Sequence, residues 1–146
     1  MLIGKYKYSV DSKNRICIPH KFRANLGEKC VFSKDLEYKC LNLYSMEQWE
    51  MYCEKIEMLP SIEMEDVRFL IYSNSSETEI DSQGRIVLNQ QLCEEIGLFE
   101  EKEVMIVGIF KYVQIWSIAE WEKFNAKLNA EEKRKAAKNE LRKNGF

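Results

Sequence analysis

The sequence predicts an α+β fold with a small β-barrel at its centre, assembled from two copies of one module. Three observations carry this. The chain repeats itself: Asp11-Ser12-Lys13-Asn14-Arg15-Ile16-Cys17-Ile18 returns as Asp81-Ser82-Gln83-Gly84-Arg85-Ile86-Val87-Leu88, 70 positions on. The register holds from Leu26-Gly27 to Ile96-Gly97, and after a slip of two Ser45-Met46-Glu47-Gln48-Trp49 is matched by Ser117-Ile118-Ala119-Glu120-Trp121. Each copy then reads as short strands around a small helix, followed by a longer helix. Finally, one copy offers only about four short strands, too few for a good core of its own. Two interleaved copies close a barrel and hide their edges. Two units of this period do not make a solenoid, whose units are shorter and need three or more copies.

The elements follow in order. Tyr6 and Tyr8 alternate with Lys5, Lys7 and Ser9, the period of a half-buried strand, and Val10 joins the tyrosine face. Residues 15–18 give a second short strand. Pro19 opens a helical turn, and a short helix over 21–26 stops at Gly27. Residues 30–32 and 40–44 form two further strands. Ser45 with Gln48, and Ser117 with Glu120, each fit a capping box at a helix start. The first long helix ends near Leu59-Pro60, a linking helix covers 64–72, and Ser73-Asn74-Ser75-Ser76 reads as a polar loop. The second copy repeats the series. Residues 131–146, rich in Lys, Glu and Ala, read as a solvated tail, a frayed helix or a second DNA tether. The chain thus divides into a first module over 5–60, a link over 61–76, a second module over 77–125 and a basic tail over 126–146.

Composition excludes several classes. A length of 146 residues suits one domain, and 45% hydrophobic with 32% charged residues is the composition of a soluble globular protein. No apolar run approaches the roughly 18 residues of a membrane span. The first residues lack a secretory signal, and Cys17, Cys30, Cys40, Cys53 and Cys93 are odd in number with no C-x-x-C pair. Both features lead us to expect reduced thiols in a cytoplasm. His20 is the single histidine, so neither a metal centre nor a Ser/His/Asp or Cys/His site is expected. Neither phosphate-binding glycine motif is present. Glu100-Glu101-Lys102-Glu103 reads as a solvated turn. We expect no cofactor, no small-molecule substrate and no enzymatic activity. Trp49, Trp116 and Trp121 read as packing residues.

The net charge of −2 conceals a strong segregation. Residues 1–23 carry six cations against Asp11, a net of +5; residues 122–146 carry eight cations and four anions, a net of +4. The segment between them nets −11. Local patches determine where a polyanion docks, so the two basic ends favour nucleic acid as partner.

Asp-Ser-Lys-Asn and Asp-Ser-Gln-Gly are turn sequences. Asp11 and Asp81 can accept backbone hydrogen bonds at the turn start, and Asn14 and Gly84 tolerate the left-handed position that completes it. Turn chemistry does not require Arg15 or Arg85. Either arginine pairs with its aspartate and does nothing more, or it reaches for a ligand. The residues alone leave both open, as they do for an exposed His20 beside Lys21.

A duplicated D-x-x-x-R hairpin, opening with Met-Leu-Ile-Gly-Lys-Tyr and followed by Ile-x-Ile-Pro-x-Lys-Phe-Arg, resembles the MraZ family of the swapped-hairpin AbrB-like (SpoVT-AbrB) superfamily. The resemblance spans about residues 1–125 and includes both S-x-x-x-W helix starts. It implies duplicated swapped-hairpin modules with flanking helices. It also implies a nucleoid-associated bacterial transcriptional repressor on double-stranded DNA. Such a protein binds short direct repeats upstream of the division and cell-wall gene cluster, its own gene included. The implied assembly is a ring-shaped homo-oligomer, such as an octamer. The DNA contacts it implies lie on the displayed loops, Lys13, Asn14 and Arg15 in the first and Arg85 in the second. The basic first segment adds Lys5, Lys7, Lys21 and Arg23 as candidate phosphate contacts. The sequence departs from the family at Asn14, where Gly is usual, and at Asn89-Gln90-Gln91-Leu92-Cys93, where Pro and basic residues are expected. Residues 71–93 net −2, so Arg85 is expected to matter less than Arg15. A rival reading is a non-catalytic structural ring or antitoxin-like module of the same fold. Two copies and a basic tail, in place of one copy and an acidic tail, count against it.

Overall fold

The computed structural model describes residues 1–146. The first copy runs β1 (Leu2–Ser9), β2 (Arg15–Cys17), α1 (His20–Leu26), β3 (Lys29–Lys34), β4 (Leu41–Ser45) and α2 (Met46–Glu57). After α3 (Ser61–Ser73) the second copy runs β5 (Ser75–Glu79), β6 (Arg85–Val87), α4 (Gln90–Glu95), β7 (Glu103–Phe110), β8 (Val113–Ser117) and α5 (Ile118–Leu128), and the chain ends in α6 (Glu131–Lys143). The result is a mixed α+β fold around antiparallel strands.

The copies exchange strands. A six-stranded antiparallel sheet has the order β1-β7-β8-β4-β3-β5, and β2 pairs with β6 in a separate ribbon. β1 pairs with β7 of the other copy, from Leu2↔Phe110 to Ser9↔Glu103. β5 pairs in return with β3, from Ser33↔Ser75 to Lys29↔Glu79. The sheet ends, β1 and β5, run through tight turns into β2 and β6, and no ladder joins β1 to β5. The strands therefore make an open sheet and a separate ribbon, in place of the continuously paired barrel expected from the sequence. The connections obey the same pseudo-two-fold relation. Val10 N–H donates to the Lys102 carbonyl at 2.7 Å and Ile80 N–H to that of Glu28 at 2.8 Å. Ile18 N–H donates to the Gly84 carbonyl at 2.8 Å, and Leu88 N–H to that of Asn14 at 2.7 Å.

The main core lies between sheet and ribbon, and its members come in repeat-related pairs: Ile16 with Ile86, Ile18 with Leu88, Leu26 with Ile96, Leu41 with Val113, Leu43 with Ile115. Each such side chain contributes about 1.5–3 kcal/mol when fully removed from water. Tyr6 and Tyr8 pack against this core, and Tyr6 meets Phe22 edge-on. On the other face of the sheet Cys40, Val107, Trp116 and Trp121 form a second cluster under α5. Ser45 Oγ accepts from Gln48 N–H at 3.2 Å and Ser117 Oγ from Glu120 N–H at 3.3 Å. The serine half of each expected capping box therefore forms.

The structure refines several boundaries of the sequence reading and the character of the tail. β1 begins at Leu2, because it pairs along the whole of β7. The expected loop over 73–76 is shorter, because Ser75 and Ser76 already pair with β3, and the Ser75 and Ser33 hydroxyls lie 3.0 Å apart. The tail is a regular helix, α6, with no buried residue. All five cysteines are free thiols. No helix is long and apolar enough to cross a membrane, and no three His, Cys, Asp or Glu side chains converge as a metal site.

Candidate nucleic-acid interface

The two D-x-x-x-R turns are near copies. In the first, Asn14 N–H donates to the Asp11 carbonyl at 3.0 Å, and Asp11 Oδ1 accepts from the backbone N–H groups of Lys13 and Arg15, both at 2.9 Å. In the second, Gly84 N–H donates to the Asp81 carbonyl at 2.9 Å, and Asp81 Oδ1 accepts from Gln83 and Arg85 N–H, again at 2.9 Å. Asn14 has φ 58° and Gly84 φ 76°, the left-handed position foreseen for each.

The second carboxylate oxygen holds the arginine. Arg15 Nε donates to Asp11 Oδ2 at 2.8 Å and Arg85 Nε to Asp81 Oδ2 at 3.1 Å. The intramolecular pairing that the sequence left open therefore exists, but it uses only Nε. Neither arginine spends an Nη group on the protein, and the outer edge of each guanidinium keeps a two-pronged donor set. The hydrogen bonds from Arg15, its backbone N–H first, hold the Asp11 carboxyl below the ordinary aspartate range. Those from Arg85 do the same for Asp81. Both aspartates are thus charged at neutral pH and remain bound to their arginines.

The ribbon then brings the arginines together. Arg15 lies opposite Val87, Ile16 opposite Ile86, and Cys17 opposite Arg85. Ile16 and Ile86 are each 1% exposed and turn inward. Strand alternation places Arg15, Cys17, Arg85 and Val87 on the outward face. Arg15 and Arg85 are diagonal cross-strand neighbours, close enough for long side chains to interact. Their sequence separation of 70 gives no hint of this.

The other candidates divide. Lys13 is exposed at the first turn tip, and Lys21 is exposed on α1 with Nζ 5.2 Å from the Tyr6 ring centroid. His20 is exposed at the start of α1. Lys5 and Lys7 lie apart from the turn. Alternation in β1 sends them away from Tyr6 and Tyr8, onto the face that carries α5. There Lys5 Nζ stands 5.8 Å from the Trp121 ring centroid, and Lys7 Nζ pairs with Glu103 at 2.9 Å, which raises the Lys7 pKa. Arg23 is also engaged, donating Nε to the Ile18 carbonyl at 2.9 Å with its guanidinium over Gly84.

At the repeat offset, Lys13, Lys21 and Arg23 become Gln83, Gln91 and Cys93, and only Arg15 keeps its identity, as Arg85. The acidic window around Arg85 owes its charge to Glu77 and Glu79 of β5, where Glu79 lies opposite Lys29 of β3 in the strand register. In space Arg85 sits against first-copy residues, so that window does not describe its surroundings.

A family model described as an antitoxin-like "MraZ protein" matches the chain twice, over residues 1–70 and 71–144. The chain belongs to the MraZ family. Among MraZ relatives, the "Transcriptional regulator MraZ" of Acetivibrio thermocellus is 40% identical over 132 residues, 88% of this chain and 90% of that protein. The protein of the same name from Alkaliphilus oremlandii is 42% identical, covering 88% and 90%. That of Clostridium tetani is 39% identical, covering 86% and 87%. These MraZ proteins bear the name of a regulator and not of an enzyme.

Proposed function

We propose that this MraZ-family chain is a sequence-specific DNA-binding transcriptional regulator, and that its reading head is the outward face of the β2–β6 ribbon. One observation carries the reading: two aspartate-anchored arginines, each with its Nη edge free, stand diagonally across a two-stranded platform. A two-stranded ribbon fits the major groove, where a two-pronged arginine can pair with guanine O6 and N7. Lys13 and Lys21 serve as phosphate contacts beside Arg15, and Asn14 shapes the first turn. Arg15 and Arg85 both read bases, while the first copy supplies most of the phosphate attraction.

The strand exchange supports a swapped-hairpin AbrB-like fold, with modules over 5–60 and 77–125, a link over 61–76 and a tail over 126–146. On this reading the protein is a cytoplasmic, nucleoid-associated repressor. It assembles as a homo-oligomeric ring, such as an octamer, on short direct repeats in the promoter of the division and cell-wall gene cluster that includes its own gene. The family's antitoxin-like description supports a second reading, an interaction module that neutralises a protein partner. A mobility-shift titration on DNA immediately upstream of the protein's own gene, against a scrambled duplex, separates the two. Equal affinity for both duplexes, at every salt concentration, would overturn the sequence-specific reading.

A further inference from the structure

α6 is a long element that the core does not explain. None of its residues is buried, and it adjoins α5 across the short Asn129-Ala130 link. Its sequence of strong helix formers opens with Glu131 and Glu132 and closes with Arg142 and Lys143, the arrangement that complements a helix dipole. Over residues 131–143 it carries six cations and three anions.

The cations are not scattered. Arg134, Lys138 and Arg142 recur every four residues and form one stripe along the helix. Lys135 borders the stripe but is bound to Glu131 at 2.9 Å, and Lys143 lies 3.8 Å from Glu140. The three stripe residues have no carboxylate within salt-bridge distance, so the stripe is unneutralised. Like charges four residues apart destabilise a helix. A helix that gains nothing from a core, yet holds such a stripe, is better matched to a polyanion than to solvent. Successive stripe residues rise about 6 Å, and the whole stripe about 12 Å. That equals the axial rise of three to four phosphates of one DNA strand, at about 3.4 Å each. The stripe contains no aromatic anchor of the kind that dominates protein interfaces. Ala136, Ala137 and Leu141 give the rest of the helix little of the apolar face that a membrane-bound helix buries.

We propose that α6 is a second, sequence-independent DNA contact, in which Arg134, Lys138 and Arg142 lie along phosphates flanking the site read by Arg15 and Arg85. The inference rests on the DNA-binding reading of the ribbon. It assigns the two basic ends of the chain different tasks: the ribbon reads bases and the helix adds length to the footprint.

The test uses the full chain with Arg134→Gln, Lys138→Gln and Arg142→Gln combined, since Gln keeps helix propensity and circular dichroism can verify the helix. Wild type and variant are titrated against a repeat-containing duplex with long flanks and a scrambled duplex of equal length, at 50 and 200 mM salt. Three lost contacts should flatten the log–log salt slope by about 2.7 per engaged protomer. Wild type should then lose about 40-fold more affinity than the variant over that salt range. The preference for the repeats should be unchanged, and trimming the flanks should abolish the difference between the proteins. Wild-type binding with an unchanged slope in the variant would overturn the inference, as would a loss confined to the repeat duplex. Retained anionic-vesicle binding by wild type alone, with equal DNA slopes, would overturn it in favour of a membrane surface. A wild type with no preference for the repeats but a flattened variant slope would defeat the ribbon reading and leave α6 standing. A wild type that binds neither duplex would defeat both.

Discussion

The guanidinium of Arg23 lies against the face of Gly84 so closely that a Cβ there would sit 2.0 Å from Arg23 Cζ and 2.3 Å from its Nε. Arg23 belongs to α1 of the first copy and Gly84 to the turn of the second. At the pseudo-symmetric place Cys93 stands for Arg23 and Asn14 for Gly84, and Cys93 and Asn14 line one shallow pocket. A large side chain thus covers a glycine at one turn, and a small one accompanies an asparagine at the other. The two departures from the repeat compensate each other. Gly84→Ala should cost about 2 kcal/mol or more, from the left-handed backbone and the displaced arginine. Asn14→Gly should stay within about 0.5 kcal/mol. In an Arg23→Ala background the cost of Gly84→Ala should fall by about 0.5–3 kcal/mol, read as a coupling from denaturant unfolding. Additive effects would show that the stacking is energetically idle.

The same pair of turns shows how much the sequence discloses. The aspartates, the left-handed positions and the helix caps were legible because each is local chemistry within four residues. The exchange of β1 and β5 was legible only as a need, since four strands cannot close a core. Which strands swap is decided by long-range pairing that no window contains. Charge counted along the chain meets the same limit. Lys5 and Lys7 are near Arg15 in sequence, yet strand alternation turns them toward Trp121 and Glu103. Arg85 is 70 residues from Arg15, yet the β2–β6 register makes it a neighbour.

That neighbourhood sets the prediction for the arginines. Arg15→Ala and Arg85→Ala should each lower affinity for the specific duplex by about 1–3 kcal/mol while leaving scrambled-duplex binding little changed. The two losses should be of similar size, because both guanidiniums present the same free edge. Sedimentation should show each variant in the same assembly state as wild type. An Arg85→Ala protein indistinguishable from wild type would return the reading head to the first turn alone.

The aspartates give the turns a defined acid response. Both folded carboxyls titrate below the ordinary value of 3.8, so the unfolded chain binds protons first. Their contribution to stability is therefore complete above about pH 4 and is lost only as pH falls through the lowered folded values. Carbon-13 carboxyl titration should place both midpoints below 3.8. Asp11→Asn keeps an acceptor for the turn but removes the charge facing Arg15. It should therefore impair DNA discrimination more than stability at neutral pH.

Lysine placement yields a contrast within one strand and turn. Lys13→Ala removes an exposed cation at the turn tip and should flatten the log–log salt slope by about 0.9 per engaged protomer. Lys7→Ala removes an ammonium already paired with Glu103 on the far face of β1, and its slope should match wild type. Equal flattening by both would mean that the Lys7–Glu103 pair opens to let Lys7 reach a phosphate.

A single ribbon covers few base pairs and should bind near the non-specific range of roughly 10⁻⁴–10⁻⁶ M. If protomers join in the proposed rigid ring, every later contact is intramolecular and avidity can rise by about 10²–10⁴. The spacing of DNA repeats must then mirror the spacing of neighbouring ribbons, close to one helical turn of about 10 bp or a multiple of it. Inserting about 5 bp between repeats rotates the second site to the opposite face of the duplex, where a rigid neighbour cannot reach it. Affinity should fall by most of the avidity gain, and inserting about 10 bp should cost less because the face is restored. If affinity survives the half-turn insertion undiminished, the ribbons act independently and the assembly does not set the operator spacing.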